Sequence, residues 1–508
     1  MQFLTSRQSR ELDKISASKF GISGKILMGN AGNQIANTVL KFYPDTEKYK
    51  ILIICGKGNN GGDGFAAALS LKQFNPQVYT IYPPDTLSSD ANQYYLKCIE
   101  NDIHIQFQEV PPESHEFNLM IDAMLGIGIK GKVRSPIAEW ITWVNYQQED
   151  VISIDVPSGL NADTGHFDDV VVKADITVTM GYEKTGLFFH PGKNQCGEIV
   201  TADIGFPTLE KPLSGIHWNL YDEEVAKQLL VPPPKNSYKY KQGKVLVIAG
   251  STGMTGAALL TGLSALKCGA GLVKFCIPES LNPIFESAFM EGISVLCADD
   301  DSGILGPNNF KEIINEIEWC DSIVIGPGLG ISSGTHELVV RILDSCSKPV
   351  VVDADALLSL ENNMNINLLS ERSILTPHLG EFGKMVNQSK LDMEDNLISI
   401  IEEFMVQYDG TLVLKTTPVS VMHNGRGSLN ISGNQGLASA GTGDVLAGCI
   451  GSFIAQGLSP FDAGKLGVFI HGKAADSLLD QTGYRGMTAT DVINELPKVI
   501  REYEIGSL

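Results

Sequence analysis

The sequence predicts two α/β domains in tandem, each built on a parallel sheet with helices packed on both faces. Length is the first observation, because 508 residues exceed the roughly 250–300 at which a single core stops growing. Short apolar runs also alternate with segments of helical periodicity along most of the chain. Finally, a proline-rich basic stretch, "VPPPKNSYKYKQG" at residues 231–243, separates two such series.

The first series contains six apolar runs that we interpret as strands of one sheet. They lie at residues 49–56, 77–82, 118–126, 150–159, 174–181 and 197–205. Residues 64–74 and 135–146 have helical patterns and lie between them. Because helices connect parallel strands across both faces of a sheet, this order predicts a three-layer domain.

The second series begins after the pattern loosens beyond residue 205. We place the boundary between Gly205 and Trp218, which divides the chain into domains of residues 1–215 and 216–508. Six further strands are predicted at residues 244–250, 271–278, 322–330, 348–357, 372–381 and 410–416. The last part is helical, over residues 444–456, 461–479 and 489–503. The second domain is therefore also α/β.

Composition narrows the functional classes. The formal net charge of −21 argues against nucleic acid or an anionic membrane as a partner, because both require clustered Lys and Arg. It does not exclude a nucleotide ligand, since phosphate recognition depends on nearby amides. Nine cysteines form no C-x-x-C pair and several flank apolar runs, so we interpret them as reduced core residues. With no signal-peptide pattern and no apolar run of ~18 residues, we expect a cytoplasmic protein.

The stretch "CGKGNNGGDGF" follows the first long strand. Gly56, Gly58 and Gly61 satisfy the dinucleotide fingerprint G-x-G-x-x-G between a strand and a helix, which suggests a Rossmann-like domain. The pattern alone is weak, because the acidic residue expected after the next strand is replaced by Asp85 beyond two prolines. No Gly-Lys-Ser or Gly-Lys-Thr follows, so it is not a P-loop.

Polar side chains follow three predicted strands of the first domain. Asn60, Asp122, Asp155 and Ser158 all come directly after apolar runs. Because the carboxyl ends of parallel strands line the ligand crevice, we expect these four side chains to converge. The alternative for Asp122 and Asp155 is that each only caps the next turn.

The stretch "NQGLASAGTGDVLAG" leads into a helix near the end of the chain. The first amides of a helix lack intrahelical partners and its dipole is positive there, so this loop predicts an anion site. Asp444 then has two possible roles: a helix cap that accepts its own amides, or a base within reach of a substrate hydroxyl.

This stretch resembles the ribokinase-like vitamin kinases and their dehydratase relatives. Four further motifs agree with the ADP- or ATP-dependent NAD(P)H-hydrate dehydratase family in order and spacing: "GSTGMTGAALLTGLSALKCGAGLV" from Gly250, "GPGLG" from Gly326, "VVDADAL" from Val351 and "TPHLGE" from Thr376. The resemblance covers nearly all of residues 220–500 and implies a ribokinase-like α/β fold.

Site residues in the second domain follow from this resemblance. It implies Asp444 as the catalytic acid/base and Gly443 as a backbone contact to the nucleotide phosphate. The hydrated nicotinamide nucleotide would contact Ala257, Gly330, His378 and Asp444. The adenine nucleotide, ADP or ATP with Mg²⁺, would lie along Lys415, Thr416, Thr417, Pro418 and Val419. Many relatives have Gly where this chain has Thr416, and His378 has an alternative role as a capped turn residue.

The first domain, over roughly residues 5–210, resembles the NAD(P)H-hydrate epimerase family. That resemblance implies Asp155 at the reacting nicotinamide and a K⁺ ion held by Asn60, Asp122 and Ser158. An oxygen-only donor set without Cys or His suits such a cation better than zinc. The residues implied around the hydrate's phosphates are Asn59, Asn60, Gly61, Gly62, Asp63, Gly126, Ile127, Gly128, Ile129, Lys130, Gly131 and Lys132.

Together the two resemblances imply an isomerase fused to a lyase. One half would interconvert the two hydrate epimers of NADH or NADPH, and the other would dehydrate one epimer through a phosphorylated intermediate. The family also implies a homo-oligomer. A first alternative is a small-molecule kinase acting on a vitamin precursor, with an N-terminal nucleotide-binding module. A second makes the first domain a regulatory nucleotide-binding module without catalysis.

Overall fold

The computed structural model describes residues 2–363 and 365–505. The chain forms two compact units. Unit 1 runs to Trp218 and includes Glu394–Ile398, and unit 2 comprises Asn219–Met393 and the residues from Ser399 onward. The division along the sequence falls within a short strand, His217–Leu220.

Unit 1 is built on a seven-stranded sheet in the order β4-β3-β2-β5-β6-β7-β9, with every neighbouring pair parallel. A separate short parallel pair joins β1 and β8. The strands are β1 (Gln2–Leu4), β2 (Ile51–Cys55), β3 (Gln77–Thr80), β4 (Ile105–Phe107), β5 (Leu119–Ala123), β6 (Asp150–Ile154), β7 (Ile176–Met180), β8 (Glu183–Lys184) and β9 (Glu198–Ala202).

Helices cover both faces of this sheet. They are α1 (Ser6–Phe20), α2 (Gly24–Phe42), α3 (Asn59–Ser70), α4 (Ser89–Glu100) and α5 (Ile137–Tyr146). One apolar cluster includes Ile53 and Phe65, and a second includes Leu52 and Trp140. Because neighbouring residues of β2 belong to different clusters, the strand is buried on both faces, which explains its unbroken apolar sequence.

Unit 2 contains a nine-stranded arrangement in the order β13-β12-β11-β14-β15-β16-β17-β18-β19. The first seven are parallel, and β18 and β19 continue the sheet as an antiparallel hairpin. Counting the strand at the division as β10 (His217–Leu220), these are β11 (Lys244–Ile248), β12 (Leu272–Pro278), β13 (Ile293–Cys297), β14 (Ser322–Ile325), β15 (Val350–Val352), β16 (Ser373–Leu375), β17 (Thr411–Leu414), β18 (Val419–His423) and β19 (Arg426–Asn430).

Helices make up much of the rest of unit 2, and one of them lies in its core. They are α6 (Glu223–Leu229), α7 (Thr255–Lys267), α8 (Asn282–Ala288), α9 (Phe310–Ile317), α10 (Ser333–Ser345), α11 (Leu379–Met385), α12 (Lys390–Gln407, whose segment Glu394–Ile398 belongs to unit 1), α13 (Thr442–Ala455), α14 (Pro460–Thr482) and α15 (Ala489–Ile505). Every residue of α13 from Val445 to Ala455 is buried, so its start is held firmly by core packing.

The predicted α/β class is confirmed, and all twelve predicted strands are present. The three C-terminal helices begin and end within three residues of the predicted limits. Sequence patterns did not predict α1, α2 or α4, nor the hairpin of β18 and β19. The hairpin turns at Asn424 and Gly425, both with positive φ, a sequence typical of such turns.

One predicted helix starts earlier than expected. The pattern predicted a helix from residue 64, but α3 already begins at Asn59, so "NNGGDG" forms its first turns. Gly61, Gly62 and Gly64 are absent from the positive-φ glycines. A Cβ at Gly61 would lie 1.9 Å from the Gly56 carbonyl oxygen, so this glycine is needed for close packing rather than for a loop.

In the described part of the chain, no helix is long and apolar enough to cross a membrane. All nine cysteine thiols are free, and eight of the side chains are buried.

Candidate active sites

Unit 1 contains a cavity of about 770 Å³ at the carboxyl ends of its central strands. Residues from five predicted positions line it: Asn59, Asn60, Asp63, Asp155 and the segment 126–129. The cavity is thus formed where β2, β5 and β6 end and α3 begins, the usual ligand position in open parallel sheets.

The start of α3 offers an anion site to this cavity. Gly58 is the N-cap, and the first intrahelical amide bond is from Gly62 to the Gly58 carbonyl, at 3.1 Å. The amides of Asn59, Asn60 and Gly61 therefore precede the hydrogen-bonded helix, and the positive end of the helix dipole lies there. Gly61 and Gly62 are not lining residues, since they pack against Gly56 and Met28.

The second predicted phosphate segment is only partly at the cavity. Gly126, Ile127, Gly128 and Ile129 line it, whereas Lys130, Gly131 and Lys132 are not among the lining residues. The exposed Lys132 ammonium instead pairs with Asp169. The structure therefore brings four of these seven residues to the site.

Asp155 follows β6 and has a φ of +67°, a conformation that few residues other than glycine adopt. One carboxylate oxygen, Oδ1, accepts hydrogen bonds from the Lys184 ammonium at 2.5 Å and from the Met180 amide at 3.2 Å. Lys184 also donates to the Met180 carbonyl and the Thr179 hydroxyl, and its side chain is only 4% exposed. This lysine was not predicted, because "GYEKTG" contains no motif that distinguishes it.

Asn60, Asp122 and Ser158, predicted to hold K⁺, converge on the loop at Leu125. Asp122 is fully buried and accepts from the Ser158 amide at 2.9 Å and the Ser158 hydroxyl at 2.6 Å. The Leu125 amide donates to Ser158 Oγ, and its carbonyl accepts from Asn60 Nδ2, both at 2.8 Å. Burial raises the pKa of Asp122, and the hydrogen bonds from Ser158 oppose that rise.

The donor set at this loop fits a large monovalent cation. It offers a carboxylate, a hydroxyl, a backbone carbonyl and the Asn60 amide oxygen, to which no described residue donates a hydrogen bond. Sulfur and imidazole ligands are absent from this described set, which makes a zinc site a poor fit.

In unit 2, the predicted residues lie in loops at the carboxyl ends of parallel strands and at two helix starts. Ala257 is in the first turn of α7, Gly330 follows β14, His378 follows β16, and Lys415 follows β17. Lys415 forms a parallel bridge with His378, so the last two loops are adjacent. The Gly330 amide donates to Asp355 at 2.8 Å, and the Asp355 charge acts on Asp444.

Asp444 is the third residue of α13 and does not cap it. The N-cap is Gly441, with a φ of +88°, and the capping alternative for Asp444 is therefore wrong. No described residue accepts a hydrogen bond from the amides of Gly443 and Asp444, which leaves them available to an anion. Burial, and then the charge of Asp353, raises the pKa of Asp444 to about 6, while Lys415 lowers it.

A buried ion pair lies beside this helix start. Lys415 Nζ donates to Asp353 Oδ1 at 2.8 Å, and the Thr376 hydroxyl donates to the same oxygen at 2.7 Å. A Cβ on Gly443 would lie 3.4 Å from Lys415 Nζ, so the ammonium lies against the open amides. Asp353 was not predicted individually, although it stands in the motif "VVDADAL".

His378 is a helix cap, as its alternative predicted. Its Nδ1 accepts from the amides of Gly380 and Glu381 at 3.0 and 3.2 Å, at the start of α11. Glu381 completes a capping box by accepting from the His378 amide. In the neutral ring this leaves the proton on Nε2, which lies 3.4 Å from Glu381 Oε1, and the His378 side chain is 60% exposed.

The two units thus define a two-domain enzyme that acts on nucleotides. Each has an open helix start next to a carboxylate, at the carboxyl edge of a parallel sheet. Its family follows from comparison with known proteins: the chain belongs to the bifunctional NAD(P)H-hydrate repair enzymes. A family model described as NAD(P)H-hydrate dehydratase matches residues 245–498, and one described as the YjeF-related protein N-terminus matches residues 24–186.

Relatives named bifunctional NAD(P)H-hydrate repair enzyme match along nearly the full chain. Those from Moorella thermoacetica and Dictyoglomus turgidum are 32% and 33% identical; both alignments cover 99% of this chain, with 97% and 99% of the relatives. The Escherichia coli relative is 31% identical, over 97% of this chain and 92% of its own. These matches favour a repair enzyme over the small-molecule kinase.

A solved structure supports the fold of unit 2. A ribokinase-like superfamily protein from Enterococcus faecalis has a TM-score of 0.50 and 23% identity, over 58% of this chain and 99% of its own. The ribokinase-like architecture predicted from the sequence is therefore confirmed.

Proposed function

We propose that unit 1 interconverts the R and S hydrates of NADH and NADPH, and that unit 2 dehydrates the S form using ADP or ATP. In class terms this is an isomerase joined to a lyase. The observation that carries the proposal is the arrangement at α13: a carboxyl group with a pKa of about 6, open helix amides and the Lys415 ammonium. Full-length similarity to enzymes named for hydrate repair supplies the substrate.

In unit 2, Asp444 is proposed to remove the proton from the ring hydroxyl as that oxygen attacks the terminal phosphoryl group. The amides of Gly443 and Asp444 and the charge of Lys415 stabilise the transferring phosphoryl group. Hydroxide is a poor leaving group and phosphate a good one. After phosphorylation the C–O bond breaks, phosphate leaves, and the neighbouring ring carbon loses a proton to water, which re-forms the ring double bond. The nucleotide enters as its Mg²⁺ complex, which neutralises phosphate charge.

The remaining predicted contacts of unit 2 belong to the same proposal. The adenine nucleotide lies along residues 415–419, and the hydrate contacts Ala257, Gly330 and His378. Support comes from the bridge between His378 and Lys415, which puts the two binding segments side by side.

In unit 1, Asp155 is proposed to move a proton during interconversion of the two hydrate epimers, a contribution of roughly 10²–10⁴-fold in rate. The hydrate's phosphates bind at the start of α3 and along residues 126–129, the part of the predicted segment that lines the cavity. Asn60, Asp122 and Ser158 would hold K⁺ together with the Leu125 carbonyl, and the bound ion would supply positive charge near the phosphates. The oxygen donors on that loop support the assignment.

The direct test mixes purified protein, NADH hydrate and either ADP or ATP, and follows the return of reduced-nicotinamide absorbance. Asp444→Asn is expected to abolish dehydration and leave epimer exchange intact, whereas Asp155→Asn should stop epimer exchange and leave dehydration of the S form. Loss of both activities in each variant, with both proteins folded, contradicts separate sites. Epimer exchange in wild type excludes the purely regulatory first domain.

Other features stay predictions from the resemblance. They are the assignment of the two activities to residues 1–215 and 216–508, a homo-oligomeric assembly and a cytoplasmic location. Light scattering of the purified protein measures the assembly.

A further inference from the structure

The cavity of unit 1 contains more carboxyl groups than the proposed chemistry uses. Asp13 on α1 and Asp63 on α3 line it together with Asp155 and its partner Lys184. The other charged residues that line it are Arg10, Lys14, Lys57 and Asp90. Arg10 donates to the Ile127 carbonyl, and Lys57 lies over the Tyr82 ring, so each of these two has its own partner.

Asp155 has the surroundings of a base. Lys184 uses its three protons on Asp155, Thr179 and the Met180 carbonyl, so the ion pair is fixed in one geometry. The donors from described residues all reach Oδ1, which leaves Oδ2 available to a substrate or water.

Asp63, in contrast with Asp155, lies in the cavity without an ion-pair partner among the described residues. It is the fifth residue of α3, beyond the three open amides, and no described residue pairs with its carboxyl group or donates a hydrogen bond to it. Burial, and then the charges of Asp155 and Asp13, raise the pKa of Asp63 well above its usual range, and Lys184 offsets only part of this. Cys55 and Tyr94 also face it, and both are neutral at physiological pH.

We propose that Asp63 is the general acid of the epimerase site and that Asp155, held by Lys184, is its general base. The inference rests on the proposed function of unit 1. It reassigns Asp63 from the phosphates, where a carboxylate would repel the ligand, to the reacting ring. A carboxylate held in an ion pair and a second, unpaired carboxyl group in the same cavity form an arrangement that suits such a pair.

The reaction follows from the chemistry of a hydrated enamine. Water added across the ring double bond leaves the hydroxyl on the carbon bonded to the ring nitrogen. The Asp63 carboxyl gives its proton to this hydroxyl, the C–O bond breaks, water leaves, and the nitrogen lone pair forms a C=N⁺ bond. Water then adds to the other face of that carbon and gives a proton to Asp155, while the C=N⁺ electrons return to nitrogen. A proton passing from Asp155 to Asp63 through water restores the enzyme.

The test measures R-to-S exchange in the full chain without nucleotide, by chromatographic separation of the epimers and subtraction of the uncatalysed rate. Asp63→Asn is expected to lower kcat by roughly 10²-fold or more with little change in KM. Wild type should show a kcat/KM that falls at alkaline pH, since the acid must be protonated, and the variant should lack this fall. Asp63→Glu keeps the carboxyl group and should stay within about tenfold of wild type.

The matched control is Asp90→Asn, which removes a carboxyl group from the same cavity that is not among the charges acting on Asp63, and should lower kcat less than about threefold. An equal loss in both Asn variants would mean that cavity charge, not a specific acid, matters, and would overturn the proposal. So would a raised KM at unchanged kcat in Asp63→Asn, or a wild-type profile without an alkaline limb. Circular dichroism and urea unfolding of each variant report the folding of unit 1, and absence of exchange in wild type would refute the proposed function instead.

Discussion

At the scale of single residues, two carboxylates of this chain have different relations to their lysines. The Lys184 ammonium donates a hydrogen bond to Asp155, whereas the Lys415 ammonium donates to Asp353 and acts on Asp444 through its charge. Lys184 therefore holds Asp155 in place, but Lys415 offsets only part of the rise that burial causes in the pKa of Asp444. This difference gives the dehydration site its own pH dependence.

Dehydration is expected to fall as the pH drops through about 6. The pKa of Asp444 is raised to about 6, so below that value the group is protonated and cannot act as the base. The kcat/KM of S-hydrate dehydration, measured from pH 5 to 8 at saturating nucleotide, should show this acidic limb. A rate that is constant down to pH 5 contradicts it.

Substitutions of the ion pair should move this limb in opposite directions. Lys415 lowers the pKa of Asp444, so Lys415→Met should shift the limb to higher pH. Asp353 raises that pKa, so Asp353→Asn should shift the limb to lower pH. The same kcat/KM profile measures both shifts, and displacement of the limb in the same direction by both variants would show that the two charges do not act through Asp444.

His471 on α14 predicts a pH effect on stability. Its ring is buried and its Nε2 has no hydrogen-bond partner among the described residues. Burial lowers the pKa of His471 to about 4, while a hydrogen bond to the Thr442 backbone opposes this. Its unfolded-state pKa is near 6.5, so the unfolded state alone gains a proton between pH 6.5 and 4. The contribution of His471 to the free energy of unfolding is therefore fully present above pH 6.5. It falls by on the order of 3 kcal/mol as the pH drops from 6.5 to 4.

Urea unfolding of wild type and His471→Gln at several pH values isolates this effect. Asp444 acts in the opposite sense, because its raised pKa makes the folded state bind a proton first. The difference between the two proteins cancels that contribution. Wild type should lose more stability than the variant as the pH falls, and parallel curves would contradict the prediction.

At the scale of elements, the two helix starts are positioned by different means. The start of α3 depends on glycines that let it approach the end of β2. The loop before α13 is instead attached to α14, where Asp476 accepts from the Gly433 amide at 2.9 Å and from Asn434 Nδ2 at 3.1 Å. Ser432 Oγ also donates to the Phe469 carbonyl. A helix start that can bind an anion is therefore positioned either by close backbone packing, as in α3, or by side-chain hydrogen bonds to a neighbouring helix, as in α13.

Gly61→Ala should destabilise unit 1 by about 1–3 kcal/mol, because the added methyl would meet the Gly56 carbonyl oxygen at 1.9 Å. Gly128→Ala is the matched control, since a methyl there has no neighbour within 4 Å and the backbone φ is not positive. Urea unfolding of both variants measures the costs. Similar costs would show that α3 can move away without penalty.

At the scale of the whole molecule, the chain carries two sites of different chemistry. The site of unit 1 is rich in oxygen donors for a monovalent cation, whereas the site of unit 2 has the features of phosphoryl transfer. Each activity should therefore respond to its own ion.

Replacing K⁺ by Na⁺ is expected to lower epimer exchange, because the smaller ion fits the oxygens at Leu125 less well. Dehydration of purified S hydrate with ADP or ATP should stay unchanged by this exchange and be lost on removal of Mg²⁺. Both rates are measured on one preparation. Equal sensitivity of the two reactions to K⁺ would contradict a cation site confined to unit 1.

Much of the architecture was readable from local patterns. Strands buried on both faces are continuous apolar runs, and helices that follow a glycine-rich turn carry their own start signal, so these elements were confirmed. Helices such as α1 and α4 are more polar, and their burial depends on partners distant in sequence, which explains why they were not predicted. The start of α3 was predicted too late for a related reason. Glycine occurs both in flexible loops and where close packing leaves no room for a side chain, and the glycines of "NNGGDG" serve packing.

The sequence by itself determined the α/β class, the family and the positions of Asp155 and Asp444, because each follows from residues adjacent in the chain. Only the tertiary structure decided that Lys184 contacts Asp155, that Asp353 holds Lys415, and that Asp63 lines the same cavity as Asp155. These residues come from separate elements, and their protonation depends on burial and neighbouring charge. Neither quantity exists until the strands and helices have packed together.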